Sequence, residues 1–212
     1  HYEGDHLRGR IGLGVIPTLA PYVLPSVVRF VMSTHPKAEL HIHELQTIHL
    51  LDSLRRGVID LGLLALPVGS EEFTTESIGL DSFVLAMSET HPLAKEKSPV
   101  KLDILRDERV ILLEEGHCLR DQVTQVCRLV FSEPSEVQAT SMATLAQMVA
   151  AGLGVTLLPE CAVKIEAAPG RGIVTRKFAG VPPNRTVGLV WRKSSPHSRA
   201  FTELAELLTD KK

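Results

Sequence analysis

The sequence predicts an α/β fold divided into two small lobes, and three observations carry that prediction. Strand-like and helix-like segments alternate with short connections over the first third of the chain, and a second such series follows a polar loop at 91–99. Parallel strands need crossover connections, so the alternation implies sheets covered by helices. The length of 212 residues fits one large domain or two small ones, since domains run to roughly 100–200 residues.

The first strand is expected over 10–16, where Ile11, Leu13 and Val15 alternate with smaller residues until Pro17 ends it. Pro21 opens a helix with Val23, Leu24, Val27, Val28 and Val31 at helical spacing. A strand over 38–45, a helix over 48–56, a stop at Gly57 and an apolar strand over 58–66 complete a β-α-β-α-β series. After the turn-like Pro67-Val68-Gly69-Ser70, two strands are expected at 76–80 and 82–87. The second series has strands at 109–113, 136–139 and 155–158 and helices at 119–131 and 142–151. Ser141 is placed as N-cap of the last of these helices and Gly152 as its stop. Strands at 173–176 and 186–191 and a helix over 197–208 finish the chain, and the terminal strand and helix are expected to return to the first lobe.

Composition narrows the function classes. A hydrophobic content of 44% excludes disorder, and 15 Gly with 13 Pro exclude collagen-like repeats. No apolar run approaches the ~18 residues of a membrane span, so no membrane role is expected. A formal net charge of -2 gives no general basic footprint for nucleic acid. Three cysteines are too few for a disulfide scaffold and point to a reducing, cytoplasmic setting. The chain opens on the polar His1-Tyr2-Glu3-Gly4-Asp5-His6 with no signal-peptide pattern, and reads as a fragment of a longer protein.

The chemically informative stretch runs from Glu115 to Cys127. Leu119, Val123, Val126, Cys127 and Val130 form the buried stripe of an amphipathic helix, while Asp121, Thr124, Gln125 and Arg128 take the other face. Cys127 thus sits with core residues, and Cys118 at the helix start, where the dipole and unpaired N–H groups favour thiolate. His117 and Arg120 are near in sequence and can add positive charge or a hydrogen bond. A thiolate attacks peroxide to give a sulfenic acid that a second thiol traps, which assigns Cys118 as reacting and Cys127 as resolving residue. Nine helical residues span about 13.5 Å, whereas a disulfide needs Cα atoms roughly 4.4–6.8 Å apart. Bonding would therefore unwind the segment and become a conformational switch. The spacing leaves a plainer alternative open, in which Cys127 fills the core and Cys118 is an unremarkable loop thiol. Zinc spacing is not matched, and no metal or cofactor is expected.

The composite Gly116-His117-Cys118-Leu119-Arg120-Asp121-Gln122 plus Cys127 resembles the hydrogen-peroxide sensors among the LysR-type transcriptional regulators. The match extends over nearly the whole chain, through Gly14-Val15-Ile16-Pro17-Thr18, Pro21-Tyr22-Val23-Leu24-Pro25, His43-Glu44-Leu45-Gln46-Thr47 and Gly57-Val58-Ile59-Asp60. Ala150-Ala151-Gly152-Leu153-Gly154-Val155-Thr156-Leu157-Leu158-Pro159 and Arg185-Thr186-Val187-Gly188-Leu189-Val190 complete it. The resemblance implies two Rossmann-like, periplasmic-binding-protein-like lobes joined by two crossover segments: 9–81 with 181–212, and 82–180 carrying Cys118 and Cys127. It implies the regulatory half of a homodimeric or homotetrameric activator, whose winged helix-turn-helix for promoter DNA would lie upstream of this chain. It also implies Cys118 as the peroxidatic residue, Cys127 as its partner, and glutaredoxin or thioredoxin as reductant. Thr18, Thr47, His117 and Arg185 occupy the positions that hold peroxide in that family, and Gln122 lies one turn from Cys118. The threonines follow strands, where plain N-capping is the other reading. Cys161 departs from the pattern, at a position usually small and apolar, and is read as packed and inert.

The leading expectation is a redox-sensing regulatory domain that turns over once per reduction cycle and is no enzyme. The competing readings are a LysR-type domain sensing a small organic effector in an interlobe cleft, a thiol peroxidase, and a periplasmic solute-binding protein.

Overall fold

A computed structural model describes residues 7–209, so the polar opening at 1–6 lies outside the described residues. The strands are β1 (Gly9–Val15), β2 (Ala38–Glu44), β3 (Leu61–Leu66), β4 (Phe73–Ser88), β5 (Leu112–Leu113), β6 (Gln138–Ala139), β7 (Thr156–Pro159), β8 (Ile173–Lys177) and β9 (Asn184–Arg192). The helices are α1 (Ala20–Thr34), α2 (Thr47–Arg55), α3 (Cys118–Leu129), α4 (Met142–Ala150), α5 (Glu160–Glu166) and α6 (Ser198–Thr209). The chain divides into two compact units, one ending at Leu80 and resuming at Thr186, the other Asp81–Arg185. It passes between them within β4 and within β9.

In the first unit β1 pairs in parallel with β2 on one side and β3 on the other, with α1 and α2 as the crossovers. β9 then pairs antiparallel to β3. Parallel pairing is thus confined to strands joined by a crossover helix, and β9, which arrives from the far end of the chain, runs the other way. Ile11, Leu13, Val15, Leu63 and Leu64 fill the core from the sheet, and Leu50 and Leu54 of α2 cover it. The close fit of α2 explains two glycines: a Cβ at Gly62 would stand 2.7 Å from Leu50 Cδ2 and from Val190 Cγ1, and one at Gly14 2.5 Å from Ile59 Cδ1. Trp191 is fully buried, its Nε1 donating to Ser198 Oγ at 2.9 Å, and its ring lies 5.7 Å from that of Phe201 on α6.

In the second unit the buried run Phe83–Met87 of β4 lies between β7 and β8, both antiparallel to it, while β5 and β6 form a separate parallel pair. α3 buries Leu119, Val123, Val126 and Cys127, and α4 buries Met142, Leu145, Ala146 and Val149. Burial of each large aliphatic chain contributes roughly 1.5–3 kcal/mol.

Several sequence expectations are corrected. The two strands at 76–80 and 82–87 are one strand, β4, because the charge at Asp81 that reads as a break is met inside the fold by Arg185. β3 starts at Leu61, since Gly57 and Val58 donate to Leu54 and Ser53 in the closing turn of α2. α1 begins at Ala20 ahead of Pro21, and α3 ends at Leu129, two residues short of Phe131. The strands expected at 109–113 and 136–139 shorten to two residues each. α5 was not expected; its first turn is held by Asp81 Oδ1, which accepts from the Cys161 N–H at 3.0 Å across 80 residues of chain.

Candidate functional site

α3 opens directly on Cys118. Gly116 takes φ +95, a left-handed conformation that glycine adopts without steric cost, and turns the chain from β5 into the helix. His117 is the N-cap residue, and its side chain makes no capping bond. Cys118, half-buried, therefore lies in the first turn, where the helix N–H groups and dipole favour negative charge. Arg120 turns back, and its Nη1 donates to the Leu113 carbonyl at 3.1 Å, tying this turn to β5.

Two buried polar atoms at this end of the helix, His117 Nδ1 and Gln122 Oε1, find no hydrogen-bond partner among the described residues. His117 as a whole is only 7% exposed. Buried polar atoms are ordinarily satisfied, so these two are exceptions to the rule. Nine residues on, Cys127 is fully buried, and burial pushes its thiol up to about 11. Both cysteines stand on one uninterrupted helix, about 13.5 Å apart along its axis, as free thiols.

The other expected site residues are placed as follows. Thr18, buried, follows β1, and Thr47 opens α2 after β2; because β1 and β2 are parallel, both lie at the same end of the first unit's sheet. Neither caps a helix: the N-cap positions belong to Leu19 and Gln46, so the capping alternative falls for both. In the second unit, Cys118, His117 and Gln122 come together at the start of α3. Arg185 joins Asp81 and Cys161. Its Nε and Nη2 donate to Asp81 Oδ2 at 3.0 and 2.9 Å, with the guanidinium side chain 0% exposed. Its Nη2 also lies 3.7 Å from Cys161 Sγ. Burial first, then the Asp81 charge, pushes the Cys161 thiol up to about 12, which keeps it protonated and a poor nucleophile. Sequence reading missed Asp81; the available signal was a lone acid between apolar stretches of a strand, 104 residues from its partner. Among the described residues no group of three or more His, Cys, Asp or Glu side chains is placed to hold a metal ion, and no helix is long and apolar enough to cross a membrane.

The α/β chain with its two units belongs to the LysR substrate binding domain family, whose model matches residues 4–212. It is 43% identical over 206 residues to a probable hydrogen peroxide-inducible genes activator of Mycobacterium avium, covering 96% of this chain and 66% of that protein. It is 39% identical over 207 residues to the DNA-binding transcriptional dual regulator OxyR of Escherichia coli K12, covering 97% of this chain and 67% of that one. The chain thus spans about two thirds of the length of these relatives. Among solved structures, a Corynebacterium glutamicum OxyR cysteine-to-serine mutant with bound H2O2 superposes with a TM-score of 0.89 at 36% identity, over 99% of this chain and 67% of the other. A reduced form of OxyR superposes with a TM-score of 0.88 at 38% identity, over 98% and 97%.

Proposed function

We propose that this chain is the peroxide-sensing regulatory domain of a LysR-type transcriptional activator, with Cys118 as the reacting and Cys127 as the resolving thiol. The observation that carries the proposal is the α3 arrangement: a half-buried cysteine in the helix's first turn, flanked by unpartnered His117 and Gln122 atoms, and a second cysteine buried on the same helix. Relatives and solved neighbours named for hydrogen peroxide support it.

The Cys118 thiolate attacks one peroxide oxygen; the O–O bond breaks, and the other oxygen leaves as hydroxide and is protonated to water. His117 and Gln122, at the start of α3, are the proposed groups that bind peroxide and stabilise the leaving oxygen. Cys127 then attacks the sulfenic sulfur, the S–O bond breaks, and a second water departs. Two thiols have lost two electrons, and one peroxide has become two waters. The new bond cannot form across an intact α3, so the helix unwinds and Cys127 leaves the core. That change of shape is the signal passed to a homotetramer and its promoter DNA. A glutaredoxin or thioredoxin closes the cycle in a reducing cytoplasm, the setting that three cysteines suggest, and one event per cycle makes this a sensor and not an enzyme.

The test is mass spectrometry and circular dichroism after stoichiometric peroxide. The expected result is a Cys118–Cys127 linkage with loss of helical signal, and in Cys127→Ala a persistent Cys118 sulfenic acid trapped by dimedone. Full helical signal in disulfide-linked material would overturn the mechanism.

A further inference from the structure

Three helices of this chain end in the same hydrogen-bonded motif. In α2 the N–H of Gly57 donates to Leu54 and that of Val58 to Ser53; in α4 the N–H of Gly152 donates to Val149 and that of Leu153 to Met148. These are Schellman caps, whose first residue beyond the cap takes a left-handed conformation that glycine supplies. Gly57 and Gly152 do so, at φ +71 and +81. α3 ends in the same way, with Phe131 donating to the Arg128 carbonyl at 3.1 Å and Ser132 to the Cys127 carbonyl at 2.9 Å. Here the left-handed position holds a phenylalanine at φ 55, the one non-glycine residue with positive φ among the described residues. A side chain there brings Cβ against the carbonyl, a strain glycine avoids.

The anchor of this strained cap is Cys127. Its carbonyl accepts from Ser132 and from Val130 at 3.1 Å. The cap is pinned from outside the helix as well: Ser132 Oγ donates to the Leu105 carbonyl at 2.7 Å, and Arg106 Nε donates to the Val130 carbonyl at 2.6 Å. The Arg106 guanidinium also stands over the Phe131 ring, 5.9 Å from its centroid. That ring is 87% exposed and contributes little packing.

We propose that residues 127–132, with Arg106 and the Leu105 carbonyl, form a strained latch that sets how readily Cys127 leaves the core, with Phe131, Ser132 and Arg106 as positioning residues for the resolving step. The inference deepens the function proposed above and rests on the reading that Cys127 moves to reach Cys118. Attack by Cys127 on the Cys118 sulfenic acid, itself formed by peroxide, expels water and forms the S–S bond. To do so Cys127 must give up its place as anchor, and Phe131 is then freed from its left-handed conformation. Strain in the closed, dithiol state lowers the cost of opening it. Ser132 and Arg106 act the other way and hold the latch shut. The two kinds of residue therefore have opposite effects on one equilibrium.

The experiment equilibrates the 212-residue chain with dithiothreitol buffers of graded ratio and measures the Cys118–Cys127 disulfide by mass spectrometry, alongside its rate of formation after a peroxide pulse. Phe131→Gly relieves the strain, so disulfide is expected to be disfavoured about tenfold, a shift of about 30 mV toward a more oxidising couple. Its thermal midpoint in the dithiol state rises. Phe131→Leu keeps the Cβ, and hence the strain, and should titrate like wild type. Ser132→Ala should favour disulfide several-fold and speed its formation, while the rate of peroxide consumption at Cys118 stays unchanged in all three variants. The latch is overturned if Phe131→Gly and wild type titrate within twofold, or if Phe131→Leu shifts as far as Phe131→Gly. Absence of any Cys118–Cys127 bond in the wild type overturns the underlying functional reading, and the latch with it.

Discussion

Replacing Asp81 by alanine is the perturbation whose size can be worked most directly from the fold. Arg185 has no side-chain exposure and Asp81 6%, and one carboxylate oxygen takes two of the guanidinium's donors. Removing one partner of a buried pair leaves an uncompensated charge, at a cost of about 3–5 kcal/mol. The other oxygen accepts from the Cys161 N–H in the first turn of α5, so losing that cap adds about 1 kcal/mol. The sum is about 4–6 kcal/mol for Asp81→Ala. In Asp81→Asn a single acceptor oxygen can serve Cys161 or Arg185 but not both, and loss of one hydrogen bond to a charged group costs about 1.5–3 kcal/mol. Urea unfolding at neutral pH followed by far-UV circular dichroism is the assay, because the lone tryptophan, Trp191, reports on the other unit. The double variant Asp81→Ala with Arg185→Ala should recover stability relative to Asp81→Ala alone, since no charge is then stranded. A cost below about 1 kcal/mol for Asp81→Ala, or a double variant no better than the single, would refute the buried-pair argument.

Further predictions concern the thiols and the close packing of α2. Burial raises Cys127 to about 11 and Cys161 to about 12 from an ordinary 9, so the folded chain holds these protons longer than the unfolded one. Stability contributed by both groups is present below pH 9 and is lost as pH climbs toward 11 and 12. Denaturant midpoints measured across that range should fall, and fall less in Cys127→Ala. In the dithiol form Cys118 should be alkylated well before Cys127 or Cys161, as read by peptide mass spectrometry after timed iodoacetamide. Gly62→Ala puts a Cβ against Leu50 and Val190, and overpacking of this kind costs about 1–3 kcal/mol, to be read from Trp191 fluorescence in urea.

The alternation of strands and helices was legible because each first-unit element carries its own period: the β1 apolar triplet, the α2 leucines, the glycine stops. Punctuation by long-range charge was not. Asp81 reads as a break, and becomes the middle of a continuous strand only because Arg185 arrives from 104 residues away; the same carboxylate caps α5, a helix of seven residues with no strong periodicity of its own. At the candidate site, the apolar stripe of α3 foretold that Cys127 is buried and that Cys118 opens the helix. The threonines were placed after their strands correctly, yet whether they capped the helices depended on dihedral angles that no local pattern announces. Phe131 was read as helical because it extends an apolar run, and its left-handed φ goes with partners distant in sequence, the Leu105 carbonyl that accepts from Ser132 Oγ and the Arg106 Nε that donates to the Val130 carbonyl.

The two ends of α3 are built on opposite terms, and that asymmetry gives the proposed sensor its direction. At the start, buried His117 and Gln122 atoms lack partners, so under the proposed function a small polar molecule beside Cys118 would satisfy them and lower the energy of the closed form. At the finish, the carbonyls of Cys127 and Val130 are fully engaged, but through a cap that carries strain. Occupancy at the first end is reversible and leaves the helix whole. On that proposal a covalent demand on Cys127 opens the second, whereas a non-covalent ligand at Cys118 would sit about 13.5 Å from the anchor along the helix axis. An occupant that cannot oxidise sulfur would therefore fill the site without unlatching α3, and discrimination between peroxide and other small polar molecules would lie in the chemistry of the second thiol as much as in binding at the first.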